Sequence, residues 1–189
     1  NKYRHNREMM DIIKTEIEGL NIIKPKVLVD DRGYFFESWN KSEFNKNGIT
    51  DEFLQDNQSL SNKGVLRGLH FQNPPYDQGK LVRVIRGSVL DVAVDIRKNS
   101  PTYGEHIMVH LNEDNKRMFW IPPGFAHGFL TLEDNTIFSY KCTNIYNKES
   151  EGTLMWNDED LKIDWHTTTP IVSDKDEQGI KFKNFKTKF

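Results

Sequence analysis

Apolar and polar residues alternate with period two in short stretches separated by turn residues, the pattern of half-buried strands. The clearest stretch, "KLVRVIRGSVLDVAVDIRK" (80–98), reads as strand, glycine turn, strand. In its second half Leu90, Val92, Val94 and Ile96 face one way and Asp91, Ala93 and Asp95 the other. The carboxylate face is a wet side, either an outer surface or a polar lumen, and alternation alone does not choose between them. "EHIMVHL", "RMFWIPPGFAHGFLTL" and "TIFSYKCTNIY" continue the pattern, broken by "NEDNK", "PPG" and "EDNT". Short, evenly spaced strands predict an all-β sandwich or barrel. Helical signal is weak and peripheral. "NKSEFNKNG" predicts one short helix ending at Asn47-Gly48, and "DEDLKI" and "DKDEQG" each predict a turn of helix. No internal repeat, low-complexity tract or linker divides the chain, so one β domain is expected over residues 9–189.

Composition narrows the function classes. A chain of 189 residues can bury a core without staples. Its formal charge of −2, with basic residues scattered, leaves no electrostatic footprint for nucleic acid. The single cysteine, Cys142, allows no internal disulfide and no cysteine-cluster metal site, and it points to a reducing, cytoplasmic setting. No apolar run approaches the ~20 residues that span a membrane, and "NKYRHNREMM" is followed by "DIIKTEIEGL" where a signal peptide needs an apolar stretch. Met9 or Met10 is a sensible native start, so residues 1–8 read as a non-native remnant or flexible arm. Asn57-Gln58-Ser59 fits a glycosylation pattern but carries little weight without a secretory signal.

Dinucleotide, phosphate-loop and serine-hydrolase readings lack their glycine-rich or G-x-S-x-G marks. "HIMVH" has the spacing of a zinc-protease helix, but Ile107 replaces the needed glutamate and the segment reads as strand, which leaves His106 and His110 as ordinary strand residues. More telling is "VLRGLHFQ" (65–72). Arg67 and His70 fall on opposite faces of an ideal strand, and Gly68 between them permits a kink that re-aims one of them. Other polar residues stand where apolar ones would pack better: Arg32, Glu37, Gln55, Asn57, Lys80, His127, Tyr140, Glu151, Lys175 and Asp176.

Together these residues and their surroundings resemble a known family. "DDRGYFFESWN", "QDNQS", "VLRGLHFQ", "QGKLVRVIRGSVLDVAVDIRKNSPTYG", "WIPPGFAHGF", "SYKCTNIY" and "EGTLMWND" are similar, in order and spacing, to the dTDP-4-dehydrorhamnose 3,5-epimerases. The resemblance runs from about Ile13 to Lys175-Asp176, leaving a variable C-terminal tail from about residue 177. It implies a cupin-type jelly-roll (double-stranded β-helix) barrel with short peripheral helices, and a homodimer. The implied substrate is dTDP-4-dehydro-6-deoxy-D-glucose, inverted at carbons 3 and 5 without dissociable cofactor or metal. On this resemblance His70 is the catalytic base, Asp176 its carboxylate partner (with Asp174 two residues away as the alternative), Lys80 the enolate stabiliser and Tyr140 the acid. Arg67 holds the substrate diphosphate, and His127 lies near the diphosphate or sugar. Arg32, Glu37, Gln55, Asp56, Asn57, Glu151 and Lys175 contact the nucleotide or diphosphate, Arg32 and Glu37 in the neighbouring subunit's site.

The chemistry suits these residue types. Carbons 3 and 5 flank the carbonyl at carbon 4, so loss of either proton gives an enolate. A neutral imidazole has its pKa near working pH, and an arginine fork pairs with phosphate oxygens bidentately. Three rival readings remain. A metal-dependent cupin has only His70 and His127 as ligands here, and Lys80 repels a cation. A monofunctional epimerase or 3,4-ketoisomerase shares the scaffold. A sugar-nucleotide binding module has no use for Lys80 and Tyr140.

Overall fold

The structure, a computed structural model, describes residues 9–189; residues 1–8, read above as a remnant or arm, lie outside the described residues. The strands in chain order are β1 (Met10–Lys14), β2 (Asn21–Pro25), β3 (Leu28–Asp30), β4 (Gly33–Phe35), β5 (Gln55–Ser61), β6 (Leu66–Gln72) and β7 (Lys80–Arg86). They continue as β8 (Ser88–Asp95), β9 (His106–Asn112), β10 (Met118–Ile121), β11 (Phe125–Thr131), β12 (Thr136–Cys142) and β13 (Glu151–Thr153). Two antiparallel sheets face each other, one in the order β1-β2-β10-β7-β12-β5 and the other β13-β6-β11-β8-β9. The hairpin β3-β4 stands apart as its own two-stranded sheet.

The strand-turn-strand reading of 80–98 is right in its elements, but β7 and β8 do not pair with each other. Gly87, at φ +89°, sends the chain from one sheet to the other, and a Cβ there would stand 2.9 Å from Thr136 Cα. Pro122-Pro123-Gly124 makes the same kind of crossing between β10 and β11. From β5 to β13 successive strands alternate between the sheets, except at the β8-β9 hairpin, so a glycine break that reads locally as a hairpin turn is here a sheet crossing.

The two faces of β8 now have addresses. Val89 and Ala93 join Val82, Val84, Phe119 and Phe138 of the opposite sheet in the core between the sheets. Asp91 shares that inward face and is fully buried, so the wet side is a lumen. Val92, Val94 and Ile96 point outward and are covered by Trp156, Leu161, Trp165 and the C-terminal aromatics. The outer face of the other sheet buries Leu81, Met118 and Trp120 against Phe44 and Ile49.

Phe44 belongs to α1 (Lys41–Lys46), which forms where expected because Asn40 caps its start, accepting from Glu43 N, and Asn47 ends it. A second helix, α2 (Asp174–Glu177), is capped by Ser173. "DEDLKI" forms turns instead of a helix. Asp158 spends its carboxylate on the amides of Asp160 (2.9 Å) and Phe182 (2.8 Å), a local alternative to helix capping.

Candidate active site

The lumen gathers its polar residues because of a fault in β6. Between β11 and β6, His127 pairs with His70 and Phe129 with Arg67, so two steps on one strand match three on the other. That bulge puts Arg67 and His70 on the same inward face, which strict alternation forbids. Gly68 makes it possible. Its φ is +132°, and a Cβ would stand 2.5 Å from Gly128 Cα and 2.8 Å from the His127 carbonyl oxygen.

His70 Nε2 lies 2.6 Å from Asp176 Oδ1, and Asp176 Oδ2 accepts the Gly68 amide at 3.0 Å. Asp176 is buried, whereas Asp174 is exposed at the start of α2, which settles which of the two meets His70. Burial pushes the Asp176 carboxyl up, but the bonds from His70 and Gly68 outweigh it and hold the carboxyl below its usual value. An ionised carboxylate here accepts from Nε2–H and leaves the imidazole lone pair on Nδ1. The His70 side chain is 34% exposed, against 4% for Asp176, so the imidazole faces open space and its partner does not.

The opposite sheet contributes Lys80 from β7 and Tyr140 from β12, with the Lys80 ammonium 5.8 Å from the centre of the Tyr140 ring. Burial lowers the Lys80 pKa, offset in part by Cys142, Asp91 and Glu151. Burial raises that of Tyr140, which keeps the phenol protonated, against a smaller opposing effect of Asn57. His127 is buried with its ring stacked on Phe138 (6.1 Å between centres) and Nε2 2.8 Å from Asp91 Oδ2. Burial disfavours charge on both partners, lowering the imidazole and raising the carboxyl. His127 stands directly beside His70 in the register between β11 and β6.

At the rim, Arg67 crosses between sheets to donate to Ser61 Oγ (3.1 Å). Gln55 donates to Asn57 Oδ1 (2.9 Å) and accepts the Tyr146 amide (2.9 Å). Lys175 pairs with Glu151, which also accepts from the Tyr146 hydroxyl at 2.9 Å. Three predicted residues stay outside this group. Asp56 lies on the outward face of β5, bonded to Lys141 (3.1 Å), because it alternates with the inward Gln55 and Asn57. Arg32 sits at the tip of the β3-β4 hairpin against Asp30, and Glu37 accepts from Asn40 (2.9 Å). Two participants were not singled out from the sequence. Tyr146 offered no signal beyond its place in "SYKCTNIY". Asp91 was visible as a carboxylate on a strand, but its pairing with His127 depends on register. Its Oδ1 is buried without a hydrogen-bond partner among the described residues.

Both imidazoles already engage a carboxylate through Nε2, and neither is arranged with a third ligand: among the described residues no three His, Cys, Asp or Glu side chains converge as a metal-holding group. An all-β jelly roll with ionisable groups converging from both sheets on its lumen has the architecture of a cupin-type protein equipped for acid–base chemistry. More particularly, the chain belongs to the dTDP-4-dehydrorhamnose 3,5-epimerase family, whose profile matches residues 14–184. That match runs past Asp176 into the tail. A dTDP-4-dehydrorhamnose 3,5-epimerase of Shigella flexneri is 53% identical over 174 residues, 92% of this chain and 96% of that protein. The crystal structure of dTDP-6-deoxy-D-glucose-3,5-epimerase from Legionella pneumophila in complex with dTDP-4-keto-L-rhamnose is 49% identical. It superposes with a TM-score of 0.90, covering 94% of this chain and 95% of that one. A 3'-monoepimerase from Streptomyces bikiniensis in complex with dTDP-quinovose is 30% identical with a TM-score of 0.83, covering 88% and 85%.

Proposed function

We propose that this protein inverts carbons 3 and 5 of dTDP-4-dehydro-6-deoxy-D-glucose to give dTDP-4-dehydro-L-rhamnose. The observation that carries the mechanism is the placement of acid and base on opposite sheets, His70 with Asp176 on one and Tyr140 with Lys80 on the other. A hexose ring between them presents one face to each. His70 takes the proton from carbon 3 or 5, and the electron pair moves into the enolate at carbon 4. The Lys80 ammonium stabilises the enolate oxygen in a desolvated setting where such a charge counts most. Tyr140 then donates its proton to the other face of the same carbon. One centre is inverted, leaving an imidazolium and a phenolate that exchange protons with solvent before the second centre reacts. Arg67, Gln55, Asn57, Glu151 and Lys175 stand at the rim, where they would meet the nucleotide diphosphate.

Two copies of the chain would complete the site. The β3-β4 hairpin exposes Val29 and Tyr34 on one face and Phe35 on the other, apolar surface that an isolated hairpin rarely leaves in water. Arg32 stands at the tip of this hairpin against Asp30, and Glu37 follows β4, accepting from Asn40. Mixing an Arg32→Ala chain with a His70→Ala chain tests the arrangement: activity regained in mixed dimers supports sharing, and none regained refutes it.

The reaction is tested in heavy water, following carbons 3 and 5 by NMR. Deuterium at both, with the product captured by a reductase, is the expected result. The monoepimerase relative makes the second reading specific: label at one carbon only. No label despite tight dTDP binding would refute catalysis on this substrate.

A further inference from the structure

The segment that brings Asp176 to His70 is held at both ends beside β6. Upstream, Ile171 bridges to Val65, with its amide donating to the Gly64 carbonyl (2.8 Å) and its carbonyl accepting the Leu66 amide (2.9 Å). Downstream, Ile180 bridges to Leu154: its amide donates to the Thr153 carbonyl (2.8 Å) and its carbonyl accepts the Met155 amide (2.9 Å). Thr153 is the cross-strand partner of His70 itself. The chain from 171 to 180 is therefore a closed staple over β6. Asp176 sits in its middle, tied to the Gly68 amide on the same strand.

Contacts at the downstream clamp are close. A Cβ on Gly179 would stand 2.7 Å from Met155 N and 2.8 Å from the Leu154 carbonyl carbon and oxygen, all backbone atoms that cannot swing aside. Beyond it the tail is anchored further. Phe182 packs on Tyr103 (5.2 Å between ring centres) and Phe185 on Phe71 (5.3 Å), the residue next to His70.

We propose that this clamp positions the base: the fit of Gly179 and Ile180 on β13, backed by Phe185 under Phe71, sets where Asp176 meets His70. Gly179, Ile180 and Phe185 are positioning residues, since none lies in the lumen. The tail is thus part of the catalytic apparatus, acting through Asp176. The inference rests on the reading of Asp176 as the partner of the base, and the test separates the two.

The experiment is a double-mutant cycle between Gly179→Ala and Asp176→Asn, with kcat, KM, dTDP affinity and thermal melting measured on the full chain. A methyl at Gly179 lifts the strap, and misplacement by about 1 Å costs on the order of 10²-fold in rate. The expected result is that loss in kcat, and no further loss in kcat when Asp176 is already Asn. A Gly179→Ala protein with unchanged kcat, or one losing the same factor in the Asp176→Asn background, overturns the proposal. An Asp176→Asn protein with unchanged kcat overturns the underlying reading instead. Should Gly179→Ala not fold, Phe185→Ala against Phe185→Leu serves the same cycle. Loss with Ala, recovery with Leu and no effect beside Asp176→Asn are expected; a loss that Leu does not recover is refuting.

Discussion

Replacing Gly68 by Ala tests how the bulge in β6 assembles the site. The added methyl would lie 2.5 Å from Gly128 Cα and 2.8 Å from the His127 carbonyl oxygen, about 1 Å inside ordinary contact, and both obstacles are backbone. Alanine at φ +132° also carries about 1–3 kcal/mol of conformational cost. Overpacking adds about 1–3 kcal/mol. The sum, about 2–6 kcal/mol, corresponds to a fall in Tm of roughly 6–18 °C at about 3 °C per kcal/mol for a chain of this size. Gly64→Ala is the control: its φ is +90°, but the nearest atom to a Cβ, Ile171 Cδ1, is 3.9 Å away. It shares the backbone cost without the collision, so the difference in Tm between the two variants measures the close approach of β6 and β11. The assay is thermal unfolding followed by circular dichroism, with kcat on folded protein at a temperature below both transitions. Because the bulge aligns His70 with Arg67, surviving Gly68→Ala protein should lose at least about tenfold in kcat even when folded. A variant that melts with Gly64→Ala and turns over like the parent would refute both the steric argument and the claim that the bulge aims the base.

Other predictions follow from the opposite sheet and from the acid range. Lys80→Met should lower kcat/KM by about 10²–10³-fold, the usual cost of losing an oxyanion donor, and a smaller loss would take Lys80 out of that role. Since burial lowers the Lys80 pKa, the ammonium is lost as pH rises through a value below the usual 10.5; the alkaline limb of kcat should therefore fall earlier than for an exposed lysine. Tyr140→Phe should still exchange substrate protons with solvent while failing to complete inversion, and undiminished product formation would sink the acid assignment. Burial pushes Asp95 up, but bonds from Arg97, Ser100 and Thr102 outweigh it and hold the carboxyl below its usual 3.8. Between the lowered folded value and 3.8 the unfolded chain binds more protons, so this stabilisation is full above that range and is lost as pH falls through the folded value. Asp95→Asn should flatten the acid slope of stability in denaturant titrations, and an unchanged slope would refute the assignment.

Much of this molecule was legible along the chain. Period-two alternation located the strands from β7 to β12, and Asn40 and Asn47 marked both ends of α1. The polar residues out of place in apolar strands picked out His70, Lys80, His127 and Tyr140, because burying an ionisable group without a partner is too costly to be accidental, while the role of Asp176 came only from the family resemblance. Alternation is a property of one strand, however, and says nothing of which strand lies alongside. Whether Gly87 turns back or crosses to the other sheet, and whether Asp91 meets water or His127, are decided by pairing between residues far apart in sequence. Asp56 shows the limit from the other side: it stands between two inward residues and points out. The bulge that aligns Arg67 with His70 is a mismatch between two strands and cannot be written in either alone, although Gly68 hints at it. The same is true of the strap. Its residues carry no local signal of their purpose, since the position of Asp176 is set by backbone contacts with β13 and β6. The sequence by itself determined most of the strands, the candidate polar residues and the family; tertiary structure decided register, face and partner, because those depend on long-range packing and hydrogen bonds that no local pattern encodes.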